Sequence, residues 1–409
     1  MAADSTASPA VEAPQAAELL TIPTDKLQEI GFYRAQRAKI LARAELPTDD
    51  TRYLKTLDAQ RLLQIWSDEW ESNTGIPFTE AARQTMTPLE RLGSSKLLDQ
   101  NEKELDELET AIEAVDKLDP AKKRRWLGMI ARVRVLQSKA RSSVMHFGVY
   151  VVRDSEKGGV LQMTSLQQGY FSVWNDERFP HSIVMAPPGH TKTCSFRIQI
   201  LWDIAQAPQL RTLILYATVD TAKGEVNLLK AYFRSPRMRA LYPWMRVLKR
   251  SEGARDSSER FTITRPNWSS REPTVEGSGI TGEINGRGYD RIYIDDPCSP
   301  KLAIQAGQRD SVNKIFEEVV EQRLRDPVNA RIRMICTPWH VNDLPGYIEK
   351  QSHDGDRTDW RIERFEVKDD AKGMPIPLWP ERYPASYYRV KRRQNPANYQ
   401  RQYKLKATV

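Results

Sequence analysis

Apolar residues recur at helical spacing through the first third of the chain and as short unbroken runs through the rest. In DDTRYLKTLDAQRLLQIWSDEWES, Leu54, Leu57, Leu62, Ile65 and Trp66 follow a helical period, and in DQNEKELDELETAIEAVDKL, Leu105, Leu108, Ile112 and Val115 mark one face of an acidic helix. A third helix is predicted to open at Asp119-Pro120, a cap followed by proline at the first helical position, and to run through AKKRRWLGMIARVRVLQSKARSS. There Trp126, Met129, Ile130, Val133 and Leu136 form an apolar stripe among Lys122, Lys123, Arg124, Arg125, Arg132, Arg134, Lys139 and Arg141, with no acidic residue between them. The acidic and basic helices are expected to pack as an antiparallel hairpin, each shielding the other's charge. A basic surface for DNA and a docking arm for another subunit are the alternatives.

From about residue 145 the runs HSIVMA, RTLILYAT, FTITR, DRIYIDD and RIRMICT alternate with helical segments. Apolar, β-branched runs in that order predict an α/β fold with a largely parallel sheet covered on both faces. Its chemistry belongs in loops at the carboxyl ends of the strands. The predicted division is a flexible tail and short helix over 1–50, a helical region over 51–145, the sheet-bearing core over 146–345, and a small closing segment over 346–409.

Composition narrows this picture only modestly. The 409 residues, 40% hydrophobic and 28% charged, suffice for a sizeable core and more than one domain. No run of about 18 apolar residues exists, so no membrane span is predicted. The opening MAADSTASPAVEAPQAAELL has the Ala/Pro/Ser content of a tail rather than a secretory signal, and a cytoplasmic location is expected. Cys194, Cys298 and Cys336 are scattered and read as small buried apolar residues. A net charge of +8 favours a polyanionic partner without identifying one.

The stretch VMAPPGHTKTCSF, Val184 to Phe196, carries the first specific chemistry. An apolar strand ends in a Pro/Gly turn, and a Lys-Thr pair opens the helix CSFRIQILWDIA. Such a junction aims backbone N–H groups and the positive end of a helix dipole at a phosphate chain. Pro188, Gly189, His190, Thr191, Lys192 and Thr193 are the predicted nucleotide-binding loop. Lys192 would reach the β- and γ-phosphates of ATP, the Thr193 hydroxyl would ligate Mg2+, and Gly189 would permit close backbone approach. The usual pattern GxxxxGK[ST] has glycine where this chain has Ala186 and Thr191. A threonine at positive φ costs about 1–2 kcal/mol, so the loop either avoids that conformation at Thr191 or loses affinity.

Two further segments join it. In GRGYDRIYIDDPCSP, a strand over Arg291 to Ile294 ends in two aspartates. Asp295 is placed to hold the metal, and Asp296 to orient and deprotonate the attacking water. In RIRMICTPWHVNDL, another strand ends at Thr337, a position from which a polar side chain can sense the γ-phosphate.

The ordered set PPGHTKT, TGEINGRGYDRIYIDDP and TPWHVNDL resembles the ATPase domain of the large terminase subunit of tailed bacteriophages, the motor that packages DNA. The likeness covers roughly Met163 to Tyr403, with LWPERYP and NPANYQRQY similar to the segment leading out of that domain. It implies a RecA-like, additional-strand P-loop NTPase core followed by a small lid subdomain. It also implies ATP, magnesium, double-stranded DNA, a homo-oligomeric ring, the portal protein and the small terminase subunit as partners, in the host cytoplasm and transiently at the procapsid portal. By the same resemblance Arg287 looks like an arginine offered to a neighbouring subunit's nucleotide, and Gln167 or Gln168 like an adenine contact. The long N-terminal region exceeds what that core requires and is expected to pack on a neighbouring large subunit or to dock the small terminase subunit.

Such subunits normally continue into a nuclease, whereas the last fifty residues here carry too few carboxylates on strands for one. ATP hydrolysis is expected of this chain, and DNA cleavage is not. Lys391, Arg392 and Arg393, interleaved with tyrosines, are candidate contacts to DNA phosphates. Two other readings stay open: a superfamily-2-type helicase or remodeller, which needs a second RecA-like domain, and a catalytically idle nucleotide-binding scaffold.

Overall fold

A computed structural model describes residues 97–114, 120–152, 163–265, 272–282, 284, 286–326 and 328–407. The first predicted helix, around Leu54 to Trp66, lies outside them. The chain divides into two compact units, Met1–Lys139 and Ala140–Val409.

The described part of the first unit is a helical hairpin. Helix α1, Glu102–Glu113, is closed at its start by a capping box in which Asn101 and Glu104 satisfy each other's backbone N–H. Helix α2, Pro120–Ser142, buries Trp126, Leu127, Ile130 and Val133. Arg134 bonds Glu102, Asp106 and Glu109 of α1 at 2.8, 2.6 and 2.9 Å, and Lys123 donates to the Glu113 carbonyl. The order of these contacts makes the pair antiparallel, with the acidic helix shielding the basic one.

In the second unit, helices α3 (Val144–Val151) and α4 (Ser165–Trp174) precede strand β1 (His181–Met185). Helix α5 (Lys192–Gln206), β2 (Thr212–Tyr216) and α6 (Val219–Arg234) follow. Next come β3 (Arg260–Phe261), β4 (Val275–Gly279), β5 (Arg291–Asp295) and α7 (Ala306–Ile315). The chain continues through β6 (Arg331–Cys336), α8 (Leu344–His353) and β7 (Trp360–Arg364) to α9 (Ala385–Gln394) and α10 (Pro396–Gln402).

The seven strands order as β3-β4-β2-β5-β6-β1-β7, parallel except for β3. Period-two alternation splits each strand between two covered faces. Ile183, Met185, Leu213, Leu215, Ile292, Ile294, Ile332 and Met334 pack on Val312, Phe316, Leu344 and Ile348. On the other face Tyr293 meets Phe196 of α5, which meets Trp174 of α4. β6 lies between β1 and β5, so one extra strand separates the loop-bearing strand from the acidic one. This is the expected α/β architecture, a largely parallel sheet with an additional strand between the loop-bearing and the acidic strands.

β7 comes from the segment after the core and pairs with β1. Just beyond it, the Phe365 N–H donates to the Met185 carbonyl at 2.8 Å, and the Phe365 ring meets Tyr170 edge-on. The chain then folds into a small aromatic cluster of Val367, Tyr388, Tyr399 and Tyr403, with Leu378, Tyr383 and Tyr387 packed against it.

Candidate nucleotide site at the carboxyl ends of the central strands

Residues 186–191 join β1 to α5, and their carbonyls are engaged by side chains. Pro187 O accepts from Lys192 Nζ at 3.2 Å, Pro188 O from His190 Nδ1 at 2.8 Å, and Gly189 O from the Tyr383 hydroxyl at 3.1 Å. His190 O accepts from the Thr191 hydroxyl at 2.8 Å and the Tyr170 hydroxyl at 3.3 Å. The N–H groups from Gly189 to Thr193 make no backbone hydrogen bond. An anion at the start of α5 would meet these donors together with the helix dipole.

Thr191 adopts the left-handed conformation, φ 57° and ψ 22°, that glycine usually supplies here. The compensation comes from Gln167, whose Nε2 donates to Thr191 Oγ1 at 2.7 Å while its Oε1 accepts from the Thr164 N–H and hydroxyl. Gln167 is thus committed to the loop and to the cap of α4, with its side chain buried, instead of standing open to a base. Gln168 beside it is half-buried. Gly189, at φ 76°, is needed as glycine because a Cβ would lie 2.6 Å from the Tyr383 hydroxyl.

Asp295 is the last residue of β5, one further than the expected strand, and is buried. Both its carboxylate oxygens are sealed from solvent, with the Thr193 and Tyr216 hydroxyls as their nearest donors and no hydrogen bond of good geometry. Burial, then the Asp296 charge, push its pKa well above the usual carboxylate range, while the Thr193 hydroxyl and the Lys192 charge pull it back. A sealed, under-satisfied carboxylate beside a threonine hydroxyl fits a magnesium ion completed by phosphate and water oxygens. Among the described residues no group of three or more His, Cys, Asp or Glu could hold a metal by itself.

Asp296 turns out of the strand at φ 42°, and its Oδ1 accepts the Thr337 N–H at 2.9 Å. The Thr337 hydroxyl donates to the Ala186 carbonyl at 3.0 Å, so the end of β6 touches both neighbours at the site. Sequence reasoning missed Glu225 of α6, buried and ion-paired to Arg197, which adds a second negative charge near Asp295. It also missed Tyr383 and Tyr388, whose partner His190 lies far away in sequence.

Arg287 sits elsewhere. It precedes the start of β5, at the opposite end of that strand from the acidic pair, and is ion-paired to Glu276 of β4, which also accepts from the Tyr289 hydroxyl at 2.9 Å. Lys391, Arg392 and Arg393 share the last turn of α9; Lys391 stacks over Tyr387, Arg392 donates to the Gly373 carbonyl, and Arg393 is exposed. No described helix is long and apolar enough to cross a membrane.

No family model matches the chain. It is 26% identical over 194 residues to the terminase large subunit of Enterobacteria phage T3, a match covering 47% of this chain and 28% of that protein. The chain therefore spans under a third of that relative's length. Among solved structures it is similar to the large terminase ATPase domain of Thermus phage P74-26, with a TM-score of 0.40 and 15% identity over 59% of this chain and 92% of that one. It is also similar to the large terminase of bacteriophage HK97, with a TM-score of 0.43 and 13% identity over 64% and 54%. The chain resembles the phage large terminase subunit.

Proposed function

We propose that this chain is the ATP-hydrolysing subunit of a phage DNA-packaging motor. The observation that carries the reading is the convergence of a donor-lined loop, Lys192, Thr193 and the Asp295-Asp296 pair at the ends of three adjacent strands. Lys192 leaves the Pro187 carbonyl to meet the β- and γ-phosphates, and the N–H groups of Gly189 to Thr193, which make no backbone hydrogen bond, bind the phosphate chain. Thr193 and Asp295 would hold a magnesium ion, which when bound would supply charge neutralisation to the phosphates. Asp296, fixed through Oδ1 by the Thr337 N–H, keeps Oδ2 for the attacking water and takes its proton.

The motor assignment rests on the resemblance. Its corollaries are double-stranded DNA as the moved substrate, a ring of copies at the portal, contact with the small terminase subunit, and host cytoplasm as the working compartment. Arg287, at the amino-terminal end of β5 and so away from its own loop, would stabilise the γ-phosphoryl group of the next subunit. Lys391, Arg392 and Arg393 would touch DNA phosphates, with sequence-independent, salt-sensitive affinity.

The test is phosphate release from ATP as a function of protein concentration. Turnover should rise with concentration, vanish in Lys192→Ala, and recover when Lys192→Ala and Arg287→Ala are mixed. Hydrolysis independent of concentration would remove Arg287 from the site. Hydrolysis independent of Lys192 would remove the loop itself.

A further inference from the structure

The phosphate loop is tied to the tyrosine cluster through one side chain. His190 is fully buried, its ring stacks on Tyr383 at 4.7 Å and 28°, and its Nε2 lies 2.7 Å from the Tyr388 hydroxyl. The partners fix its chemistry. The Pro188 carbonyl can only accept, so the bond at 2.8 Å places the proton on Nδ1. Burial lowers the imidazole pKa to about 4, with the Lys192 and Arg382 charges in the same direction and the Pro188 carbonyl against it. The ring is therefore neutral at physiological pH, Nε2 is bare, and the Tyr388 hydroxyl donates to it.

The result is a directed chain: Tyr388 O–H to His190 Nε2, and His190 Nδ1–H to the Pro188 carbonyl. A second strut runs beside it from the Tyr383 hydroxyl to the Gly189 carbonyl at 3.1 Å. Both engage loop carbonyls from the side of the cluster, while the N–H groups of the same peptides, those of Gly189 and His190, make no backbone hydrogen bond.

We propose that His190 is a positioning residue that latches the phosphate loop to the cluster formed by Tyr383 and Tyr388, so that loop conformation and cluster position are one linked variable. The Thr337 contacts join strand ends within the sheet, and Arg401 of α10 stacks on Trp339 at 4.8 Å. The latch is a separate route, acting on the phosphate-binding backbone itself. Its consequence for nucleotide rests on the function proposed above, but its geometry can be tested without nucleotide.

Protein labelled with 15N at its five histidines reports the ring directly. His190, assigned by its disappearance in His190→Gln, should show the neutral Nδ1–H tautomer, and its Nε2 signal should move when Tyr388→Phe removes the donor. A His190 ring protonated on Nε2, or one indifferent to Tyr388→Phe, overturns the latch. The second readout is the Kd for a fluorescent ADP analogue. Tyr388→Phe and Tyr383→Phe should each weaken binding about three- to tenfold, the scale of one hydrogen bond. His190→Gln combined with Tyr388→Phe should be no worse than His190→Gln alone. Losses that multiply in the double variant, or a fall in Tm with unchanged Kd, mean the bond serves folding only and overturn the proposal. Wild-type protein that does not bind the analogue sinks the nucleotide reading and leaves the latch to be decided by the spectra.

Discussion

The backbone N–H of Thr337 donates to Oδ1 of Asp296 at 2.9 Å. The carboxylate proposed as the water-orienting base is thus held by the neighbouring strand, and a side-chain change at Thr337 leaves that bond intact. Thr337→Val should remove only the hydroxyl bond to the Ala186 carbonyl, lowering stability by about 1–2 kcal/mol because a buried acceptor loses its donor. ADP affinity should stay within about twofold, a shift smaller than one hydrogen bond. Urea unfolding and equilibrium titration check the pair, and a large loss of affinity would mean that Thr337 touches the nucleotide.

Thr191 and Gln167 form a coupled pair, so the effect of Thr191→Gly depends on background. In the wild-type chain, relief of about 1–2 kcal/mol of left-handed strain is offset by the orphaned Gln167 amide, and stability should change little. In Gln167→Ala the same substitution should stabilise by about 1 kcal/mol. Chemical denaturation of the four proteins decides this; equal effects in both backgrounds would show that the two side chains act independently.

Asp295 combines burial with a like-charged neighbour, and both disfavour its ionised form. Asp295→Asn should raise the stability of the nucleotide-free protein by about 1–2 kcal/mol while abolishing the effect of magnesium on ADP affinity. A lower melting temperature, or undiminished magnesium dependence, would contradict the assignment of this carboxylate to the metal.

Arg134 serves three carboxylates from a position 1% exposed, which demands the planar five-donor fork of arginine. Arg134→Lys keeps the charge but cannot reach all three. It should destabilise the hairpin by about 1–3 kcal/mol, the lower end reflecting partly exposed partners. Hydrogen exchange should then accelerate along α1, and unchanged exchange there would show that apolar packing alone holds the helices.

The central strands were legible because each is a buried, largely apolar run: HSIVM, TLILY, RIYID and RIRMIC match β1, β2, β5 and β6. β4 escaped because its sequence is VEGSG. Of its two glycines, Gly277 answers to packing, since a Cβ there would lie 2.7 Å from Val226 and 3.2 Å from the Ala222 carbonyl of α6. β7, WRIER, escaped because an edge strand need not be apolar on both faces. FTITR was read as a strand, yet only Arg260–Phe261 pairs in one. At the site, the positions of Lys192 and Thr193 at the start of α5 and of the two aspartates at the end of β5 were readable from the strand and turn pattern. The partners of Gln167 and His190 were not, because hydrogen bonds across 24 and 198 residues leave no periodic trace.

The hydrogen bond from the Phe365 N–H to the Met185 carbonyl pins the exit of β7 beside the last residue of β1, one step before the phosphate loop begins. The tyrosine-rich segment is therefore moored at the carboxyl end of β1, so a rotation of α9 and α10 about that bond would carry Arg392 and Arg393 with it while leaving the start of the loop in place.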